Sequence, residues 1–96
     1  MQESSSFKDS LKQATPDSNL SPMLKALWYD GKGNWEKAHA QVDQLSGQDA
    51  AWVHAYLHRK EGDIWNADYW YARAKKTRPD MSLDQEWASL IEYFLA

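Results

Sequence analysis

A six-residue pattern that occurs twice constrains the fold of this 96-residue chain more than any other feature. Residues 33–38 (GNWEKA) align with residues 62–67 (GDIWNA) when the chain is shifted against itself by 29 positions. The same shift places Ala26 on Ala55. A glycine turn that recurs at a fixed interval between amphipathic segments is typical of stacked helix-turn-helix units. The sequence therefore predicts two such units, with small residues where their helices cross.

Start and stop signals along the chain predict five helices and no sheet. Ser21 before Pro22 is a helix start, and Ser82 with Gln85 has the spacing of a capping box. No segment alternates apolar and polar residues between hairpin turns, as strands would. The predicted helices cover residues 22–30, 35–45, 50–61, 64–76 and a last segment from 83. One predicted apolar stripe consists of Trp35, Ala38, Val42 and Leu45. The expected fold class is all-α.

The first 19 residues differ in composition from the rest of the chain. They are rich in Ser, Asp, Lys and Gln and lack a sustained apolar face. We expect residues 1–19 to form a flexible arm and residues 20–96 to form the helical repeat domain. Phe7 and Leu11 stand four positions apart, so they can share one face of a short helix that docks on the domain. The arm is therefore expected to be mobile or weakly helical.

Charge and composition exclude several classes of partner. A formal charge of −3 and a pI near 5.5 argue against a protein that binds the phosphate backbone of nucleic acid. Cysteine is absent, which excludes disulfides and thiolate nucleophiles. The first residues do not resemble a secretory signal, and no stretch approaches the roughly 18 apolar residues of a membrane span. We expect a cytoplasmic protein that binds neither nucleic acid nor membrane.

The second unit carries, after Gly62, the ordered residues Ala67, Tyr71, Ala74 and Pro79. This order resembles the second helix of the tetratricopeptide repeat. The resemblance extends over residues 20–96 and implies two tetratricopeptide-like units followed by a C-terminal capping helix. It also implies that the first helix of each unit lines a concave groove in which a protein or peptide partner binds.

A second resemblance concerns the middle of the chain. Residues 51–63 (AWVHAYLHRKEGD) and 69–74 (YWYARA) are similar to a family of small bacterial proteins, and residues 20–22 and 83–87 fit the same family. That family has no assigned activity. The resemblance implies a bacterial, cytosolic protein and transfers no catalytic role.

One aromatic and basic stripe of the third predicted helix is a candidate binding surface. Trp52, Tyr56, Arg59 and Asp63 recur at spacings of four and three. Aromatic rings and guanidinium groups dominate binding hot spots, and a guanidinium grips a carboxylate with two bonds. The predicted partner-binding residues are Trp52, Tyr56, Arg59 and Lys60. The alternative is a structural role, in which both rings pack on a neighbouring helix.

The same helix carries an alternative site for a metal ion or a small ligand. His54, His58 and Glu61 lie at positions i, i+4 and i+7, so their side chains project from about the same face. Two imidazoles one turn apart chelate a divalent metal, and the carboxylate offers a third ligand. In the competing structural interpretation, at least one imidazole is hydrogen-bonded between helices. His39 has no partner in the sequence and is expected at the surface.

The motifs of common reaction classes are missing from the sequence. It contains no glycine-rich phosphate cradle and no nucleophile elbow, and its carboxylates are scattered over helix surfaces. We therefore predict an interaction module with no catalytic residue and no cofactor. Self-association through the aromatic flanks Tyr69 and Trp70 is a further alternative.

Overall fold

The structure, a computed structural model, describes residues 4–96. Over this range the chain is helical and contains no strand, so the predicted all-α class is confirmed. The helices are α1 (Ser4–Asp9), α2 (Pro22–Gly31), α3 (Trp35–Val42), α4 (Gln48–Lys60), α5 (Ile64–Arg73) and α6 (Leu83–Leu95), with a 3₁₀ turn at Ser10–Lys12. Helices α2 and α3 form one hairpin, and α4 and α5 form the second.

The two hairpins have matching turns. Gly33 after α2 and Gly62 after α4 have φ of +83° and +87°, a backbone conformation that glycine adopts without steric cost. In each turn, the amide of the glycine and the amide of the next residue donate back into the last turn of the preceding helix, forming a Schellman motif. That next residue, Asn34 or Asp63, caps the following helix by accepting from the amide three residues on. The two turns, 29 residues apart, therefore share both the Schellman motif and the N-cap of the following helix.

Small residues allow the helices of each hairpin to approach closely. Ala26 and Ala38 in the first hairpin, and Ala55 and Ala67 in the second, are all 0% exposed. Because a methyl group is the only side chain at these positions, the helix axes come nearer than larger residues would permit. Tyr71 of α5 packs with Ala55 and Ala67 and fills the rest of the second hairpin.

The last helix lies against the first helix of both hairpins. The predicted capping box opens it: Ser82 Oγ accepts from the Gln85 amide at 3.1 Å, and Gln85 Oε1 accepts from the Ser82 amide at 3.0 Å. Trp87 of α6 donates its indole N–H to the backbone oxygen of Leu27 in α2 at 2.9 Å. Since α6 contacts α2 and α4, it covers part of the side on which the sequence predicted a groove.

The segment before α2 packs on this core. Phe7 is 3% exposed, and its ring meets the Trp87 ring edge to face at 6.0 Å between centroids. Trp28 donates its indole N–H to the backbone oxygen of Ser10, and Lys32 donates to that of Leu11 at 2.7 Å. A short helix therefore docks on the core through Phe7. That residues 1–19 form a flexible arm stays a prediction, and residues 1–3 lie outside the described range.

Two helices end three residues earlier than the sequence predicts. Helix α5 ends at Arg73 rather than Lys76, because Lys75 has φ of +59° and closes a Schellman motif of its own. Helix α3 ends at Val42, so Leu45 lies beyond it and is 41% exposed. The prediction that Leu45 extends the buried stripe is therefore wrong.

Candidate functional site

The predicted binding stripe of α4 faces the last helix. The Trp52 ring meets the Tyr93 ring at 5.0 Å and the Phe94 ring at 6.1 Å between centroids. At the other end of the stripe, Arg59 forms an ion pair with Glu86 of α6. Trp52 and Arg59 remain partly exposed, whereas Tyr56 between them is 2% exposed. The four residues predicted to bind a partner thus lie along the seam between α4 and the elements that cover it.

Asp30 is the internal partner of two of these residues. It is 2% exposed, and its carboxylate accepts a hydrogen bond from the Tyr56 hydroxyl at 2.7 Å and one from Lys60 Nζ at 2.8 Å. Burial, followed by the nearby Asp30 charge, raises the pKa of Tyr56. Tyr56 therefore stays protonated and acts as a hydrogen-bond donor inside the fold.

Glu86 of α6 has the same role for Arg59, which follows Tyr56 by about one turn of α4. It is 2% exposed and accepts from Arg59 at 2.7 Å and from the Tyr71 hydroxyl at 2.5 Å. Arg59 also donates to the backbone oxygen of Met81, which precedes α6. Burial and the hydrogen bond to Glu86 raise the pKa of Tyr71. Each buried carboxylate is thus satisfied by one phenol and one cation.

Sequence reasoning missed both carboxylates. Asp30 lies in the last turn of α2, where the helix dipole disfavours a negative charge. That misplaced charge is a signal that Asp30 has a compensating partner. Glu86 gives no such signal, since an acidic residue in the first turn of a helix is favourable in itself.

Two cavities flank α6. The first, of about 420 Å³, lies between α6, α2 and α4 and is lined by Lys8, Leu11, Asp30, Gly31, Tyr56, Lys60, Asp84, Trp87 and Ala88. The second, of about 530 Å³ and named here the Trp52 cavity, is lined by Trp52, Lys75, Lys76, Thr77, Pro79, Met81, Glu86 and Ser89. Helix α6 contributes residues to both hollows, and the predicted binding groove stays a prediction.

The Trp52 cavity carries two cations that have no anionic partner in the part of the chain that the structure describes. Lys76 Nζ lies 4.3 Å from the centroid of the Trp52 ring, within the range of a cation–π contact. No carboxylate in residues 4–96 forms an ion pair with Lys75 or Lys76. Glu86 also borders the cavity, but its oxygens accept from Arg59 and Tyr71. The cavity therefore presents an aromatic surface beside unneutralised positive charge.

The alternative histidine site is divided by the structure. His58 Nδ1 lies 2.7 Å from Glu61 Oε1, so these two predicted ligands are together. His54 instead lies with His39 and Asp43 of α3 in a group whose ligand atoms are all within 4.8 Å of one another. His39 is half-buried, with its ring stacked between those of Trp35 and His54 at 4.9 and 4.8 Å. The expectation that His39 lies at the surface is wrong, because α4 packs against that face of α3.

His54 has an unusual environment for an imidazole. It is 3% exposed, and within the described chain its Nε2 has no hydrogen-bond partner. Burial, followed by the neighbouring His39 and His58, lowers its pKa to about 4. The imidazole is therefore neutral at pH 7. One of its ring nitrogens can accept a hydrogen bond or bind a metal ion.

The outer face of α5 carries exposed aromatic residues. Trp65 is 79% exposed and Tyr69 is 48% exposed. The Arg73 guanidinium lies 5.7 Å from the Tyr69 ring and 5.4 Å from the Trp70 ring. Self-association through these flanks stays a prediction, for which light scattering is the measurement.

Within residues 4–96, no helix combines the length and the apolar character needed to cross a bilayer. The chain was compared with protein-family models, with curated proteins and with solved structures, and none of them matches it.

Proposed function

We propose that this protein is a tetratricopeptide-like interaction module that binds an acidic segment of a protein partner in the Trp52 cavity. The observation that carries the proposal is the exposed part of the Trp52 ring beside Lys75 and Lys76, two ammonium groups with no anionic partner among the described residues. An apolar contact surface with a few polar groups that converge on it is the usual composition of a binding cavity. The function is binding alone, without catalysis.

The chemistry of the cavity selects the class of partner. Trp52, Pro79 and Met81 provide apolar surface for one side chain, and the neighbouring lysines provide donors for a carboxylate. The whole chain has a formal charge of −3, which repels acidic ligands in general. Lys75 and Lys76, which pair with no carboxylate of residues 4–96, provide a local exception. A peptide that places an apolar residue next to Asp or Glu satisfies both parts of the site.

We propose that Arg59 and Lys60 do not contact the partner directly. Their charges are neutralised by Glu86 and Asp30, and Lys60 lines the other cavity rather than the Trp52 cavity. Arg59 in particular holds Glu86 and the backbone of Met81, both of which line the Trp52 cavity. Of the predicted partner-binding residues, Trp52 is the one we propose as a direct contact.

Selection of peptides from a displayed random library tests this proposal. The selected peptides are expected to carry an acidic residue beside an aliphatic or aromatic one. Their binding to the double variant Lys75→Glu, Lys76→Glu is expected to weaken at least tenfold, because two attractive charges become repulsive. The matched control is Lys12→Glu, Lys37→Glu, which makes the same change in net charge on exposed residues outside the cavity.

Circular dichroism and gel filtration establish that both double variants are folded before affinities are compared. Peptides without acidic residues, or peptides that bind both double variants equally well, would show that the Trp52 cavity is not the binding site. Binding that survives the substitution Trp52→Leu unchanged would contradict the proposal in the same way.

A further inference from the structure

Three metal-ligating side chains from different hairpins meet between α3 and α4. One ring nitrogen of His39, one of His54 and a carboxylate oxygen of Asp43 all lie within 4.8 Å of one another. His39 lies on α3, and Asp43, four positions later, is the C-cap of that helix. His39 Nε2 is 4.0 Å from Asp43 Oδ1. His54 belongs to α4, so the group joins the first hairpin to the second.

The buried imidazole of His54 indicates that this group takes a ligand. It is 3% exposed, and no atom in the described part of the chain forms a hydrogen bond with its Nε2. A buried polar atom without a partner is unfavourable, and native proteins contain few of them. Coordination of an ion by this group would give His54 the polar partner that residues 4–96 do not provide.

We propose that His39, Asp43 and His54 bind a divalent transition-metal ion of the zinc class. Two imidazoles and one carboxylate are a ligand set that Zn²⁺ accepts, with a fourth position left for water. Tetrahedral ligands at about 2.1 Å from the ion stand roughly 3.4 Å apart, so atoms now within 4.8 Å of one another must close by up to about 1.4 Å. The Asp43 side chain is 55% exposed and free to make this movement.

The ion would link α3 to α4. Its ligands come from both hairpins, so binding favours the packed arrangement of the two units over any state in which they separate. The site shares no residue with the Trp52 cavity. The metal proposal and the peptide proposal can therefore fail independently.

Titration of the untagged full-length chain with Zn²⁺ tests the site, and Co²⁺ serves as a spectroscopic probe of the same ligands. We expect one ion per chain, a visible Co²⁺ absorption typical of tetrahedral coordination, and a melting temperature that rises on the order of 10 °C at a hundredfold excess of Zn²⁺ over the dissociation constant. The variants His39→Gln and Asp43→Asn should each bind Zn²⁺ at least tenfold more weakly. His54→Leu, which fills the buried position with an apolar side chain, should abolish binding.

His58→Gln and Glu61→Gln are the matched controls, because the sequence assigned these residues to the alternative site. Their Zn²⁺ affinity is expected to stay within twofold of the wild type. A chain that binds no Zn²⁺ at millimolar concentration, or one that loses affinity through the His58 and Glu61 variants instead, overturns the proposal. Unchanged affinity in the folded His39→Gln variant overturns it equally.

Discussion

The Tyr56 hydroxyl donates a 2.7 Å hydrogen bond to Oδ2 of Asp30, which joins α4 to α2 across 26 positions of the chain. Both residues are 2% exposed, so the bond is largely shielded from bulk water. A residue that the sequence indicated as a binding surface therefore connects the two hairpins. Its partner Asp30 also holds Lys60, which explains why this face of α4 carries a phenol and a cation side by side.

We expect Tyr56→Phe to lower the free energy of unfolding by about 1–2 kcal/mol, because Asp30 loses a hydrogen bond in a buried setting while the ring volume is kept. Urea denaturation followed by circular dichroism measures the change. Tyr93→Phe removes a hydroxyl from a side chain that is 53% exposed and should cost less than about 0.5 kcal/mol. Equal losses in the two variants would contradict the structural role of Tyr56.

Arg59→Met should destabilise the protein by about 3 kcal/mol or more, since the buried Glu86 carboxylate loses its cation. The comparison variant is Arg78→Met, which breaks an ion pair with Asp68 whose two side chains are 45% and 50% exposed. Exposed pairs contribute at most about 1 kcal/mol. If chemical denaturation gives the two substitutions the same effect, Glu86 does not depend on Arg59.

Lys75→Gly is expected to stabilise the protein by about 0.5–1 kcal/mol, because glycine removes the strain of a side chain at φ of +59°. The reverse experiment is Gly62→Ala, at φ of +87° with open space around the position of the added methyl group. It should cost about 1 kcal/mol through backbone strain alone. Thermal unfolding should show melting temperatures that move in opposite directions for the two variants, and a fall for Lys75→Gly would refute the first expectation.

Phe7→Ala should lower the free energy of unfolding by roughly 3 kcal/mol, as expected for truncation of a buried aromatic ring. Phe7 is 3% exposed against Trp87 and belongs to the core that contains the first hairpin. Asp9→Ala on the same helix changes an exposed residue and should have little effect. A loss below about 0.5 kcal/mol for Phe7→Ala would mean that the segment before α2 does not stabilise the domain.

Local signals in the sequence predicted the helices and their turns well. The glycines at 33 and 62 and the capping box at Ser82 act over a few residues, so their outcome depends little on distant parts of the chain. The early end of α5 escaped prediction, because Lys75 adopts a conformation that glycine normally supplies.

The sequence by itself determined the all-α class and the two hairpins, since helix periodicity and capping are local properties. Only the tertiary structure decided the partners of those side chains. The packing of α6 against α4 brings Glu86 into contact with Arg59. The packing of α4 against α2 brings Asp30 into contact with Tyr56. Contacts between residues 26 or 27 positions apart depend on how whole helices pack against one another. The residue pattern within a single helix does not specify that packing.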